Sequence, residues 1–270
     1  MTAGTLEPVF VESVAFWAPT LPSWATARAA FRGEGELLEP PAKRPSPELL
    51  APAERRRAPD TVALALEVAA LAVREAGLPA AELPCIFTSA HGDLAVSDYM
   101  CATLAAQPVL ISPIKFHNSV HNAAAGYWTI GTACMAASTA VTAFEYSFAA
   151  GLLEALTQCR ADARPVLLVA FDVQSVGPLA TVTTSAGLLA AALVIAPARS
   201  DRSVAAFAAS LVGGTSARPP LRSEAARSLA GNAMADALPF LESLALDAPG
   251  PVALPLSPSL ALRMAPIPFA

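Results

Sequence analysis

A cysteine and two histidines lie in one almost uncharged stretch and are residue types that thiol chemistry needs. Cys134, His117 and His121 all fall within residues 116–148. A thiolate can hold an acyl group, and an imidazole within hydrogen-bond reach can serve as its base. These residue types allow a minimal acyltransferase or thioester hydrolase, with Cys134 as nucleophile and His117 or His121 as base.

The spacing of the two histidines also raises the question of a metal site. His117 and His121 are four positions apart, which on a helix would put both on one face. However, Asn122 is a good helix cap, so His117 should precede the helix that follows. The sequence offers no evident third or fourth ligand, and His91 lies far upstream in "AHGD". We therefore predict no metal and no cofactor.

The composition restricts the kinds of partner. The 270 residues are 54% hydrophobic and only 14% charged, with a mean hydropathy of +0.50 and a net charge of −5. Soluble domains are about a quarter charged, so this chain has little polar surface to spare. The sequence therefore predicts a partner protein over apolar surface or, alternatively, a membrane protein. The negative charge argues against nucleic acid, and we interpret Arg55–Arg57 as a solvated cluster.

The spacing of the cysteines and the first residues of the chain indicate the cellular compartment. The cysteines form no CxxC pair, which favours buried reduced thiols. The first residues have neither a basic nor a long apolar region of the kind that signal peptides carry, so we expect a cytoplasmic protein. The uncharged stretches 122–144 and 179–197 are long enough to raise the membrane alternative, but they are rich in small residues. We predict buried strands and helices there and no membrane span.

Apolar runs alternate between the strand and helix types, and this alternation predicts an α/β fold. Layers of α, β and α should enclose a mixed, mostly parallel sheet. We take Asp60 as a helix N-cap, Gly77 as that helix's stop and Asp172 as a strand-end residue. The predicted strands are 9–18, 84–90, 137–143, 164–172, two within 180–197, and 203–214, followed by an extended segment at 249–264. The predicted helices are 60–76, 93–106, 122–132, 145–159 and 223–246, with 109–121 as a loop or extended segment.

The segment "SPIKFHNSVHNAAAGYWTI" resembles the N-terminal half of the β-ketoacyl synthases of the thiolase fold. In that family a Ser-Pro loop precedes an Asn and an Ala-Gly pair on a helix, then a turn, a short strand and a T-A-C triplet. The matching residues before the turn are Ser112, Pro113, Asn122, Ala125 and Gly126. The resemblance covers roughly residues 9–197 and implies a thiolase-like half fold. We treat residues 1–270 as one domain, with a core of about 9–197 and a less certain tail, 198–270.

The chain is most similar to the short, N-terminal-half-only class that accompanies full ketosynthases in aryl polyene pathways as a chain-length-factor-like subunit. The family's cysteine lies further beyond the Ala-Gly pair than Cys134 lies beyond Gly126. An ungapped count places Glu145 at that position, and Cys134 in a turn between helix and strand. The family's histidines lie in a C-terminal half, and this chain has no histidine after Cys134. The resemblance therefore implies no catalytic residue and no activity for the chain alone.

The resemblance also implies a role in a heterodimer. The strand at 137–143 would pair across a dimer axis, and the Ser-Pro loop would reach the acyl tunnel of a full-length ketosynthase. Such a subunit would limit chain length in polyene, polyketide or fatty-acid-type elongation and meet acyl carrier protein through the complex. The enzyme that uses Cys134 remains the alternative. The candidate tunnel and interface residues are Ile114, Lys115, Phe116, His117, His121, Tyr127, Trp128, Ser138, Thr139 and Val141.

Overall fold

The strands and helices follow the predicted alternation closely in the first two thirds of the chain. This computed structural model describes residues 7–214, 217–246 and 250–268. The strands are β1 (Val9–Trp17), β2 (Cys85–Thr88), β3 (Ser138–Val141), β4 (Val166–Asp172), β5 (Leu189–Ala196), β6 (Ala205–Gly213), β7 (Val252–Ser257) and β8 (Leu260–Pro266). The helices are α1 (Trp24–Phe31), α2 (Pro52–Arg57), α3 (Asp60–Ala76), α4 (Leu94–Ala106), α5 (Pro113–His117), α6 (Ala123–Thr132), α7 (Ser147–Ala161), α8 (Glu224–Ser228) and α9 (Leu238–Ala245).

The described strands form one mixed sheet in the order β3-β2-β4-β5-β1-β6-β8-β7. Only β2 pairs in parallel with its neighbours, β3 on one side and β4 on the other. All other neighbouring strands pair antiparallel. The mixed sheet is confirmed, but the expectation of mostly parallel pairing is wrong. Parallel pairing needs a crossover helix, and α7 supplies one between β3 and β4, whereas no α-helix lies between β4 and β5.

Two apolar layers cover the sheet, and the predicted α-β-α layering is confirmed. Along β1, Phe16 points to the layer of α1, α7 and α9, whereas Ala15 and Trp17 point to the layer of α3 and α6. Successive side chains of a strand face opposite sides, so one strand serves both cores. Every residue of β4 and β5 is buried, as expected for strands covered on both faces.

Helix α3 is the longest helix in the described part of the chain and is buried along most of its length. Gly77 ends it with a left-handed φ of 65°, as predicted. Asp60 was predicted as the N-cap, but Pro59 holds that position. The Asp60 carboxylate instead accepts a 2.7 Å hydrogen bond from Arg44. The Pro-rich segment before α3 packs on the same apolar layer through Leu49 and Leu50.

The secondary-structure prediction is wrong in two segments whose apolar composition did not determine where helices and strands begin and end. The two strands predicted within residues 180–197 are one strand, β5, preceded by a short 3₁₀ helix, Pro178–Thr181. The predicted helix at 223–246 is divided into α8, a 3₁₀ segment, Ala233–Ala237, and α9. Asn232 fixes the chain after α8, because its side chain accepts from the Met234 amide as N-cap of the 3₁₀ segment and donates to carbonyl groups of the β4 end and of the loop before β5.

Two further differences from the prediction lie in segments for which no regular pairing or helix was predicted. The segment predicted as a loop or extended chain at 109–121 contains α5, whose N-cap is Ser112. The final extended segment forms the β7–β8 hairpin, and the predicted residue 249 lies outside the described residues.

Residues after 197 add three strands to the same sheet and are joined to its centre. Phe207 of β6 lies 5.1 Å from Phe240 of α9, and Phe148 of α7 lies 6.0 Å from the same ring, measured between centroids. These three rings are almost completely buried. The tail is therefore part of the apolar layer that supports α7. Within the described residues, no helix has the length and hydropathy required to cross a membrane.

Candidate functional site

The junction between β3 and α7 turns sharply at Phe144. This residue has a φ of 53°, a left-handed conformation that side chains other than glycine rarely adopt. A 3₁₀ turn, Phe144–Tyr146, then leads into α7. Ser147 holds the turn, since its hydroxyl donates to the Phe144 carbonyl at 2.7 Å and accepts from the Ala143 amide at 3.0 Å. The strained residue is more than half exposed.

Glu145 lies next to the strained residue and faces solvent. Its side chain is 54% exposed and lies beside Arg218, with 3.7 Å between carboxylate oxygen and guanidinium nitrogen. Arg218 also donates to the Glu145 carbonyl at 2.9 Å. An exposed, paired carboxylate cannot act as a thiolate nucleophile does. Glu145 and Phe144 line a cavity of about 300 Å³ with Arg218 and Asn232.

A buried carboxylate that the sequence analysis missed caps the N-terminus of α7. Asp236 accepts a 2.9 Å hydrogen bond from the Phe148 amide, while its other oxygen has no partner among the described residues. The pKa of Asp236 is raised to about 7, mainly by burial, and the nearby charge of Asp172 contributes to the rise. The amide of Phe148 and the charge of Arg218 act in the opposite direction. An acidic residue within an Ala-rich segment shows no sequence pattern from which this capping role could be predicted.

A second buried carboxylate joins the carboxyl ends of β2 and β4. Asp172 accepts from the Ser89 hydroxyl at 2.6 Å and from the Ala90 amide at 2.9 Å. His91 Nδ1 lies 3.7 Å from the Asp172 carboxylate, and its Nε2 is buried with no hydrogen-bond partner in the described part of the chain. Burial is the main cause of the raised pKa of Asp172, and the nearby His91 charge lowers it.

Ser89, His91 and Asp172 do not form a hydrolytic triad. In a triad the histidine would lie between the acid and the hydroxyl. Here Ser89 donates directly to the acid, so the three residues fix the two loops to each other. Asp172 ends β4, as predicted from the sequence.

Cys134 lies in the turn between α6 and β3, where the sequence analysis placed it. The thiol is buried and donates to the Leu83 carbonyl at 3.5 Å. Ala133, with a φ of 53°, forms the left-handed C-cap of α6 just before it. Among the described residues, no hydrogen bond or ion pair joins Cys134 to a histidine. The arrangement therefore lacks the paired base that an activated thiol requires.

The two histidines of the opening stretch have separate surroundings. The His117 ring makes an edge-on contact with Tyr127, 5.7 Å between centroids. His121 Nε2 lies 3.1 Å from the Ser89 carbonyl, on the loop that follows β2. His117 ends α5 and α6 begins only at Ala123, so the two are not on one helix. Within the described ranges, no three His, Cys, Asp or Glu side chains are grouped as metal ligands.

Most of the predicted interface residues of α5 and α6 are accessible. Ile114 and Phe116 on α5 are 48% and 64% exposed. Lys115 lies over the Tyr99 ring, 5.7 Å from its centroid, and Tyr127 is half-buried. Trp128, in contrast, is 1% exposed and packs in the layer of α3. Trp128, predicted as a tunnel or interface residue, therefore faces the core of this chain from α6.

Strand β3 forms one edge of the sheet, so one of its sides lacks a strand partner within the described chain. Ser138 is exposed, whereas Thr139 and Val141 are half-buried. Thr139 accepts a 3.1 Å hydrogen bond from Gln158 of α7. An accessible edge strand offers backbone groups for pairing with another chain.

An apolar groove between α5, α6 and the segment before α3 was not foreseen as a unit. It measures about 550 Å³. Its apolar lining consists mainly of Leu49, Leu50, Phe116, Val120 and Ile130. We call it the α5–α6 groove. Val109 and Met135, elsewhere on the surface, are both more than nine-tenths exposed. Their exposure could not be inferred from the sequence, because apolar residues at these positions were equally compatible with burial.

The sequence matches the model of a known protein family over most of its length. The family model of the β-ketoacyl synthase N-terminal domain matches residues 27–242. A search of curated proteins finds no match.

Solved structures agree on the fold. A ketosynthase (ApeO) in complex with its chain length factor (ApeC) from Xenorhabdus doucetiae contains a chain with 22% identity and a TM-score of 0.67, aligned over 98% of this chain and 99% of that chain. A type II PKS acyl-carrier protein in complex with its ketosynthase bound to the hexaketide (AntDE:AntF) gives 11% identity, 97% and 99% coverage, and a TM-score of 0.71. The ishigamide ketosynthase/chain length factor gives 16% identity, 78% and 68% coverage, and a TM-score of 0.61. The thiolase-like fold is thus confirmed.

Proposed function

The chain belongs to the β-ketoacyl synthase N-terminal domain family, and from that membership we propose that it is a non-catalytic subunit of the chain-length-factor kind. It pairs with a full-length ketosynthase and shapes that partner's acyl tunnel during polyene, polyketide or fatty-acid-type chain elongation. Acyl carrier protein is met through the complex. Two of the similar solved structures are of a ketosynthase with a chain length factor, which supports this proposal.

The observation that carries the proposal is a turn before α7 without a thiol. Thr142, Ala143 and Phe144 follow β3 in the order of the family's T-A-C triplet, with phenylalanine in place of cysteine. Phe144 takes the left-handed backbone at this turn. We infer that the vacated position is Phe144, one residue before the Glu145 predicted by ungapped counting. Neither side chain can carry an acyl group as a thioester, so condensation must occur on the partner's thiol.

The accessible surface supports a partner on the side of β3, α5 and α6. The edge of β3 offers backbone groups, and the α5–α6 groove exposes Phe116, Val120 and Ile130. Exposed apolar surface of this kind is typical of interaction sites. Ile114, Lys115, His117, His121 and Tyr127 remain candidates for the interface. The chain's low charge content is consistent with a permanent partner.

Co-purification tests the pairing. When a tagged chain is expressed in its native host and purified, it should retain a full-length ketosynthase that has an active-site cysteine. Mass spectrometry identifies that partner. The Phe116→Glu variant should lose that partner while remaining folded, because a charge would be buried in the interface. Val204→Glu is a matched control, since Val204 is similarly exposed and lies directly before β6. Recovery of a soluble chain that catalyses acyl transfer alone would refute the proposal.

Labelling with cerulenin distinguishes the subunit from the alternative enzyme. We expect the adduct on the partner's cysteine and none on Cys134, because Cys134 is buried and lacks a paired histidine. Cys134→Ala should leave the activity of the complex unchanged. An adduct on Cys134, together with loss of activity in Cys134→Ala, would establish the acyltransferase or thioester hydrolase instead.

A further inference from the structure

A buried carboxylate joins the tail of the chain to the start of α7. Asp236 lies in the 3₁₀ segment, Ala233–Ala237, and is 7% exposed. Its Oδ2 accepts from the Phe148 amide at 2.9 Å, in the first turn of α7. Four residues before Phe148, Phe144 makes the left-handed turn and is more than half exposed. A buried part of the tail therefore supports a turn whose outer residue faces solvent.

This contact is the main polar tie between the two elements. Within the described part of the chain, the bond from Phe148 to Asp236 is the only hydrogen bond that joins the 3₁₀ segment to α7. The segment's preceding end is fixed elsewhere, because Asn232 donates to carbonyl groups at the β4 end and before β5. Loss of the Asp236 contact would thus free the start of α7 without releasing Asn232.

The charged groups around Asp236 are already engaged in other contacts. Arg218 donates to the Glu145 carbonyl, and Asp172 accepts from Ser89 and Ala90. The second oxygen of Asp236, Oδ1, has no hydrogen-bond partner among the described residues. Residues 147–153 of α7 and all of β5 contain no titratable side chain. The titratable groups on the surrounding elements are Arg218 before α8, Asp172 at the end of β4, Glu145 and Tyr146 on the turn, and Glu242 on α9.

These surroundings suit a neutral carboxyl group better than a carboxylate. A buried charge loses its hydration, and one amide donor replaces only part of it. Burial accordingly raises the pKa of Asp236 to about 7, although Phe148 and Arg218 act in the opposite direction. If the contact opens, the carboxyl group reaches water and regains its ordinary value of 3.8. The contact is therefore strongest below about pH 4 and weakens as the pH rises to about 7.

We propose that Asp236 is a proton-operated latch: its neutral form holds the tail segment against α7, and its ionised form releases the segment and frees the turn at Phe144. The latch is a local opening and leaves the strands of the sheet paired. It does not depend on the proposed function, because the turn and the tail belong to this chain alone. The exposed surface that follows β3 would then become more mobile as the pH passes neutrality.

Hydrogen exchange followed by mass spectrometry measures this opening, after correction for the pH dependence of unprotected amides. Between pH 5 and pH 8, opening in residues 144–152 and 233–238 should become roughly a hundredfold more frequent and level off above about pH 7. Strands β4 and β5 should show no such rise. Asp236→Asn should abolish the rise, because its amide keeps an acceptor for Phe148 and does not titrate. Asp162→Asn, at the exposed C-cap of α7, is the matched control and should keep the natural profile.

Three results would overturn the inference. One is the absence of the rise, and another is an equal rise in β4 and β5, which would indicate global unfolding. The third is a rise that survives in Asp236→Asn or disappears in Asp162→Asn. The natural protein provides a test that needs no variant, since the carboxyl carbon-13 signal of Asp236 should titrate near pH 7. Titration of that signal below pH 5 would likewise exclude the latch.

Discussion

Replacing Asp236 by asparagine should make the protein's stability less dependent on pH. In the folded protein the carboxyl of Asp236 has a pKa of about 7, against an ordinary value of 3.8, and burial is the main cause. Between these two values the folded state keeps a proton that the unfolded chain has released. The stabilisation is therefore fully present below about pH 4 and is lost as the pH rises through about 7.

The magnitude follows from the difference between the two pKa values. About three pH units correspond to roughly 4 kcal/mol, since one unit is equivalent to about 1.4 kcal/mol. Asparagine keeps an oxygen that can accept from the Phe148 amide and carries no charge to desolvate. Asp236→Asn should thus match the natural protein near pH 4 and exceed its free energy of unfolding by about 2–4 kcal/mol at pH 8.

Denaturant unfolding at several pH values between 4 and 8 measures this difference directly. Groups shared by both proteins cancel in the comparison, apart from Arg218 and Asp172, whose charges act on Asp236. Asp201→Asn, at an exposed position, is the control and should parallel the natural protein at every pH. Parallel curves for Asp236→Asn would refute the reasoning, because they would show that the carboxyl has an ordinary pKa in the folded state.

Three further predictions concern backbone and packing. Ala133→Gly should stabilise the chain by about 1 kcal/mol in thermal unfolding, because Ala133 is exposed and left-handed; an unchanged melting temperature would contradict this. Gly151→Ala should cost roughly 1–3 kcal/mol, since its Cβ would lie 2.8 Å from Thr88, whereas Gly126→Ala has free space and should be neutral or stabilising. Phe144→Gly should relieve strain of about 1 kcal/mol; destabilisation in the same assay would show that the ring packs more firmly than its exposure indicates.

Patterns within single segments predicted much of the fold. Strand β1, helix α3 and its Gly77 stop were recognisable because local chemistry decides them: apolar β-branched runs favour strands, and glycine accepts a left-handed φ. The division of 223–246 was not recognisable, because Asn232, which caps the 3₁₀ segment after α8, bonds to groups distant in sequence. The expectation of mostly parallel pairing failed for a similar reason, since the pairing depends on which strands become neighbours.

The candidate site was only partly predictable. The resemblance indicated a missing nucleophile and the region of α5 and α6. It did not distinguish exposed Phe116 from buried Trp128, because both are apolar residues in the same stretch. Asp236 had no signal in the sequence. Its importance arises from burial without full hydrogen bonding, a property of the folded surroundings and not of the residue type.

The sequence by itself determined that this chain is a layered α/β protein, that it resembles the β-ketoacyl synthases and that no histidine follows Cys134. Residue order is sufficient for that, since periodicity sets local elements and the absence of a histidine after Cys134 is a matter of composition. Only the tertiary structure decided which residue turns before α7, which apolar side chains face outward and which polar groups are left unpaired. Those properties depend on contacts between segments far apart in the chain, which no local pattern specifies.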